Sequence, residues 1–442
     1  MPRVDTRWLI PTPADVETER LQAEQEGRDI SHLLEEFARL ERADTVPPGE
    51  FFRLLDQVQR LPSATEEAEP NDLQSIFYRC PGALPLDVQA VDFEDRIRGA
   101  WRGRVAGCML GKPVEGWSRG AIRKMLQETG QGPPLQGFLR RWEPLNAFGA
   151  VAPGNEDAFV AELDALPEDD DLNYTVIALL VVERCGVGFS TEQVAEEWVA
   201  RLAPLKTCTA ERIAFRNLLL GMRPPETATW RNPYREWIGA QIRSDLYGYI
   251  APGDPMRAAA MAWSDARLSH TRNALYASMF YAAMISSAFA MSNPRGVVEN
   301  GLRCLPPASR LARSLVRVMD EAEETSSEGA IEAIHDRWNE SRQHDWCHAI
   351  SNAEVVAWAL LHGGGEFERS VCMAVEAGFD TDCNGATVGS ILGAMLGARS
   401  LDGTFAAQAT LHPVRTGVRG VPEVAEEEFV LRTMNLLAQR MR

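Results

Sequence analysis

Lysine is nearly absent from this chain: Lys112, Lys124 and Lys206 are the only three in 442 residues. Positive charge as a whole is short, with 45 Lys and Arg against 63 Asp and Glu, for a formal net charge of −18. That balance excludes nonspecific nucleic-acid binding, which needs a basic face to displace counterions from phosphates. Paired cysteines are also missing. The eight cysteines (80, 108, 185, 208, 304, 347, 372 and 383) form no CxxC pair and no zinc-finger spacing, so they read as reduced thiols of a cytoplasmic protein. The opening MPRVDTRWLIPTP lacks the apolar stretch of a secretory signal. No Val- and Ile-rich alternating runs occur, which predicts an all-α fold. One long apolar run, Ala274 to Met291, raises the membrane question. Its Tyr276, Ser278, Tyr281, Ser286 and Ser287 argue for a fully buried helix, and no membrane partner is expected.

What is present is enough for a large core: 45% of the residues are hydrophobic. The length permits one large helical domain with an appendage. Residues 1–90 read as that appendage, and residues 91–442 as the main domain. Val16 to Ala43 is a charged amphipathic pattern predicting a helix (Leu21, Ile30, Leu33, Leu34, Phe37, Leu40), followed by Pro47-Pro48 and a second short helix from Gly49 to Leu61. Ser63 to Asn71 is a polar linker. Packing or self-association is the role expected of this region, and the assembly expected is a monomer or small homo-oligomer.

The main domain is organised around Glu376 to Arg399, EAGFDTDCNGATVGSILGAMLGAR. Asp380 and Asp382 flank Thr381, just before a run rich in Gly and Ala with Val388, Ile391, Leu392, Met395 and Leu396 at helical intervals. This predicts a buried helix whose small residues admit close neighbours. A carboxylate pair at its start is either an N-terminal cap or half of a metal site. A second acidic knot favours metal. Pro167 to Thr175 reads PEDDDLNYT before another apolar helix, and Asp169, Asp170 and Asp171 repel one another unless they splay into water or a divalent cation neutralises them.

Upstream, Asp92 to Gly116 predicts a helix with Gly99, Gly103, Gly107 and Gly111 at four-residue spacing, which opens a close helix crossing. Glu115 follows in the turn. A helix from Met256 reaches Ser269 and His270, and SRQHDWCHAISNAE, with His348, Asn352 and Glu354, feeds another apolar helix at Val355 to Leu361.

Together, the Gly-rich first helix ending in a Glu, the acidic triplet, the Ser-His near mid-chain and the DTD loop before a Gly/Ala helix resemble the ADP-ribosylglycohydrolase family over about residues 92–400. The resemblance implies an all-α bundle with two Mg2+ or Mn2+ ions that bind the hydroxyls of a ribosyl or ADP-ribosyl substrate while the anomeric bond is hydrolysed. It further implies Asp169, Asp170, Asp171, Asp380, Asp382 and Cys383 as metal ligands, Glu115 and Asp170 in catalysis, and Glu115, His270, Asn352 and Asn384 near the substrate. Four positions depart from the family pattern. Cys108 stands where Asp is usual, Asp169 and Leu172 each where Thr is usual, and Cys383 where Thr or another small polar ligand is usual.

The residue chemistry agrees with hard cations, because carboxylate oxygens suit Mg2+ or Mn2+ over zinc. Ribosyl-bond cleavage builds oxocarbenium-like charge, so the site needs anionic groups by the ring and a carboxylate to activate water; Glu115 is the candidate. Arg119, Arg123, Arg267 and Arg272 lie near the motifs but read as solvated surface arginines. The expected activity is removal of an ADP-ribosyl group from a protein or small molecule. An N-glycosidase acting on a nucleoside or nucleotide is the alternative enzyme, and an inactive relative that binds ADP-ribose or a protein partner is the alternative of another class.

Overall fold

Two glycine-lined helices that touch backbone to backbone form the centre of the fold. In the computed structural model, which describes residues 10–440 apart from 153, 157, 161, 162 and 411, helix Phe93–Gly111 runs antiparallel to helix Thr381–Leu396. A Cβ built on Gly99, Gly103, Gly107 or Gly111 would lie under 3.0 Å from the carbonyl oxygen of Gly393, Gly389, Gly385 or Thr381, in that order. Only glycine tolerates such an approach. The pairing order has a consequence for the site. It sets the carboxyl end of the first helix, with Cys108, Lys112 and Glu115, beside the amino end of the second, with Asp380 and Asp382.

Local chemistry fixes the ends of the first helix. The Asp92 side chain accepts from Asp95 N at its start, and Glu94 and Asp95 occupy the first turn, where the helix dipole favours anions. It ends in a 3-10 turn at Lys112–Val114, where Pro113 cannot continue the hydrogen-bond ladder. On its outer face Trp101 stacks on Phe429 with centroids 4.2 Å apart and donates to Thr433 Oγ1 at 3.0 Å. Helices Arg272–Ala288, Ala349–Gly363 and Phe367–Glu376 pack around Thr381–Leu396. All 17 residues of Arg272–Ala288 are buried, as its apolar run predicts. No helix among the described residues is long and apolar enough to cross a membrane.

The fold is all-α among the described residues but for one two-residue antiparallel pair, Val414–Arg415 with Glu423–Val424. The single helix expected over Val16 to Ala43 is two, Pro13–Gln25 and Leu34–Glu41, with a 3-10 turn at Ser31–Leu33 between them. Gly27 at φ +64° ends the first, with Gly27 N donating to Glu24 O and Arg28 N to Ala23 O, a Schellman closure. These helices and Pro48–Gln59 enclose a small core of their own around Val16, Phe37, Leu40, Phe51 and Leu54. They meet the rest of the chain through ion pairs: Arg235 with Glu19 and Glu26, Arg272 with Glu26, and Arg231 with Asp56.

Candidate metal centre

The two acidic knots differ in how they start their helices. Asp169 caps helix Asp170–Cys185, its Oδ1 accepting from Asp171 N at 2.8 Å. Asp380, at the head of Thr381–Leu396, makes no side-chain cap bond. The cap therefore explains Asp169 and leaves Asp380 and Asp382 to another purpose. Their turn is held in an uncommon shape, with Gly378 at φ +78° and Phe379 at φ +57°. Trp346 Nε1 donates to Phe379 O at 2.7 Å, and Asp380 N donates to Asn352 Oδ1 at 3.2 Å, which fixes the loop from behind.

The long-range folding brings both knots together. Ligand atoms of Cys108, Asp169, Asp171 and Asp382 lie within 4.8 Å of one another, and so do those of Asp380, Asp382 and Cys383. Asp382 belongs to both groups. All of these side chains are buried. Lys112 Nζ reaches Asp169 Oδ2 at 2.6 Å, also buried. Burial pushes the Asp171 and Asp382 carboxyls well above the usual range, and the neighbouring carboxylates push them further. At Asp169 burial also works upward, yet the Lys112 ammonium holds its carboxyl below its ordinary value. Asp171 Oδ2 and Asp382 Oδ1 are buried with no hydrogen-bond partner among the described residues. Buried carboxylate oxygens without donors are costly unless a cation meets them, so the donor set fits a divalent metal.

Glu115 and Asp170 stand apart by accessibility. Glu115 is half-buried, and Asp170 is exposed although protein closely surrounds its carboxyl. Burial, with the charges of Asp380 and Asp169 added, raises Glu115 to about 7. Burial raises the Asp170 carboxyl well above its ordinary value, with Asp169, Glu115 and Asp380 adding to the effect. Asn155 Nδ2 donates to Glu115 Oε2 at 2.9 Å and to Lys112 O at 2.8 Å, tying the Glu115 turn to its loop.

The other expected substrate contacts lie deeper. Asn352 is fully buried: its Oδ1 accepts from Asp380 N and Asn384 Nδ2, and its Nδ2 donates to Trp346 O and His348 O. Asn384 is equally buried and joins the site through that bond. His270 belongs to a separate buried network. Its Nδ1 bonds Ser269 Oγ at 2.8 Å and faces Glu211 at 3.9 Å, and Glu211 pairs with Arg243 at 2.6 Å. Four further residues of the site carry no role in the sequence reading: Lys112, Asn155, Cys347 and Arg104. The buried Arg104 pairs with Asp245 at 2.9 Å and donates to Asp171 O and Ile242 O, bracing the acidic helix start. Lys112 had one signal, its rarity: one of three lysines, seated between a glycine helix and a proline.

Comparison with known families matches residues 89–433 to ADP-ribosylglycohydrolase. This chain belongs to the ADP-ribosylglycohydrolase family. As a member it is 24% identical over 307 residues to an uncharacterised protein of Archaeoglobus fulgidus, covering 68% of this chain and 88% of that one. A solved structure described as an ADP-ribosylglycohydrolase-related protein complex aligns with a TM-score of 0.50 at 20% identity, covering 78% of this chain and 98% of that one. That likeness carries the fold. In this member of the family Cys108 stands inside one group of candidate ligands and Cys383 inside the other.

Proposed function

We propose that this protein is a metal-dependent hydrolase of ribosyl glycosidic bonds that takes an ADP-ribosyl group from a protein or small molecule. The observation that carries the reading is the sharing of Asp382 between two groups of candidate ligands, with half-buried Glu115 beside them. Two divalent cations held by Asp169, Asp171, Asp380, Asp382 and Cys383 would clamp the vicinal ribose hydroxyls and lower the pKa of water. The protein's own groups supply the rest. Asp170 offers an accessible carboxyl to the positive charge that builds at the anomeric carbon, ionised once cations neutralise its acidic neighbours. Glu115, held near 7 and oriented by Asn155, takes a proton from the attacking water, and Lys112 keeps Asp169 ionised and fixed. Asn352 and Asn384 position the Asp380 loop.

One observation favours a second reading, hydrolysis of a smaller nucleoside or nucleotide riboside. Arg119 and Arg123 pair with Glu328, Arg272 pairs with Glu26, and Arg267 lies over the Trp263 ring, so each arginine near the motifs is engaged elsewhere. A pyrophosphate would need such donors. The test is a metal-dependent hydrolysis screen over ADP-ribosyl-arginine, ADP-ribosyl-serine, O-acetyl-ADP-ribose and simple nucleosides, run with wild type and Glu115→Gln. Turnover of nucleosides alone selects the second reading. A Glu115→Gln protein that binds metal and turns over at the wild-type rate removes Glu115 from the proton transfer.

A further inference from the structure

Three buried thiols ring the carboxylates. Cys108 Sγ lies among the donor atoms of Asp169, Asp171 and Asp382, within 4.8 Å of each, and Cys383 Sγ stands likewise with Asp380 and Asp382. Cys383 Sγ is 3.2 Å from Asp171 Oδ1, and Cys347 Sγ is 3.7 Å from Asp380 Oδ2. Buried cysteine is commonly a small apolar filler with a weak S–H donor. Cys304 fits that description, with Pro255 O and Met256 Sδ as its neighbours. Cys108 and Cys383 do not, because each faces several carboxylates inside one coordination sphere.

A second observation, independent of the thiols, points to a ligand at the same place. Asp171 Oδ2 and Asp382 Oδ1 are 99% and 97% buried by residue and meet no donor, so these oxygens lack a positive partner where the thiols converge. Carboxylates alone suit hard ions, whereas sulfur favours borderline and soft ones. We propose that Cys108 and Cys383 are metal ligands, one in each of the two groups that share Asp382, and that the centre therefore selects a thiophilic d-block divalent cation over magnesium. The inference rests on reading these carboxylates as a cation site and not on any turnover. As each S–metal bond forms, the S–H bond breaks and its proton leaves to solvent, with no change of oxidation state.

The test uses the full-length protein stripped by chelator and titrated with Co2+, with Cd2+ and Mg2+ in competition. A thiolate-to-cobalt charge-transfer absorption is expected to grow with bound Co2+, to weaken in Cys108→Ser and in Cys383→Ser, and to vanish in the double variant. Cys108→Ser is expected to lower Cd2+ affinity by about tenfold or more while Mg2+ affinity holds, because the substitution removes softness and keeps a small polar donor. Bound Co2+ without that absorption overturns thiol ligation and leaves the hydrolase reading standing. Failure to bind any divalent cation overturns both. Should a Ser variant not fold, the wild-type cobalt spectrum decides alone.

Discussion

Gly103 and Gly389 occupy each other's side-chain space: a Cβ on either would lie under 3.0 Å from the carbonyl oxygen of the other. Because the contact is backbone on backbone, no flexible side chain can yield. Gly389→Ala is expected to destabilise the protein by about 3 kcal/mol or more, the upper end for overpacking, by forcing the two helices apart. It should also weaken cation binding, since Cys108 and Asp382 lie on opposite sides of that seam. Gly403→Ala, at a position with open space within 4 Å, should stay within about 0.5 kcal/mol. Urea unfolding with and without divalent cation checks both.

The Lys112–Asp169 pair predicts a coupling between stability and metal. Lys112→Met leaves a buried carboxylate without its counter-charge and should cost about 3 kcal/mol at neutral pH in cation-free protein. The Asp169 carboxyl is depressed below its ordinary 3.8 because the ammonium overcomes burial. Its contribution is thus present above 3.8 and lost as pH falls toward the folded-state value. The gap between wild type and Lys112→Met should narrow on acidification and also when a divalent cation is added. Thermal unfolding across pH, with and without Mg2+ or Mn2+, reads both trends; a gap insensitive to either would contradict the account.

Glycine spacing and acidic runs made the central helix pair and the carboxylate knots legible in the sequence, because both are local patterns with a physical cost unless satisfied. Lys112, Asn155 and Arg104 were not legible in that way. Each acts through partners tens of positions or more distant, and periodicity holds no record of such pairing. The break after Gln25 was hidden for another reason: a lone glycine inside a charged helical stretch is tolerated as often as it ends one, so Gly27 does not announce the turn that its φ of +64° makes. The segment of His270 ends in a buried arginine and glutamate network that adjacent sequence does not announce.

Asn352 gathers the Asp380 backbone N–H and the Asn384 amide onto one oxygen. Removing that acceptor strands two buried donors, so Asn352→Ala should cost about 2 kcal/mol. The larger effect is expected on the metal. With the loop no longer held, cation affinity should fall by about tenfold to a hundredfold, the range for groups that orient ligands. Calorimetric titration with Mn2+ together with circular dichroism separates a lost fold from a lost site. Unchanged affinity in a folded variant would show that the loop needs no such brace.

The appended helices should loosen in acid. Arg235 bonds Glu26 at 2.6 Å and Glu19 at 2.7 Å across the junction. Burial works to raise the Glu26 carboxyl, yet Arg235, Arg272 and Arg28 outweigh it and hold Glu26 far below its usual 4.5. Hydrogen bonds from Arg231 likewise depress Asp56, and Arg310 overcomes burial to depress Glu69. Each depressed group contributes stability above its unfolded value and loses it as pH falls. Glu19 opposes them: burial outweighs Arg235 and raises it, so its contribution is present below 4.5 and lost as pH rises. Glu236, the second carboxylate on Arg310, is likewise raised by burial and opposes them, but Glu26, Asp56 and Glu69 outnumber these two and leave a net weakening of the junction as pH drops through about 4. Hydrogen exchange, corrected for intrinsic rates, should therefore show residues 13–61 opening at that pH while 381–396 stay protected. Arg235→Met should produce the same opening at pH 7, by about 3 kcal/mol, because it leaves two buried carboxylates without that partner. Equal protection of both segments in the variant would mean that apolar packing, and not the ion pairs, holds the appendage in place.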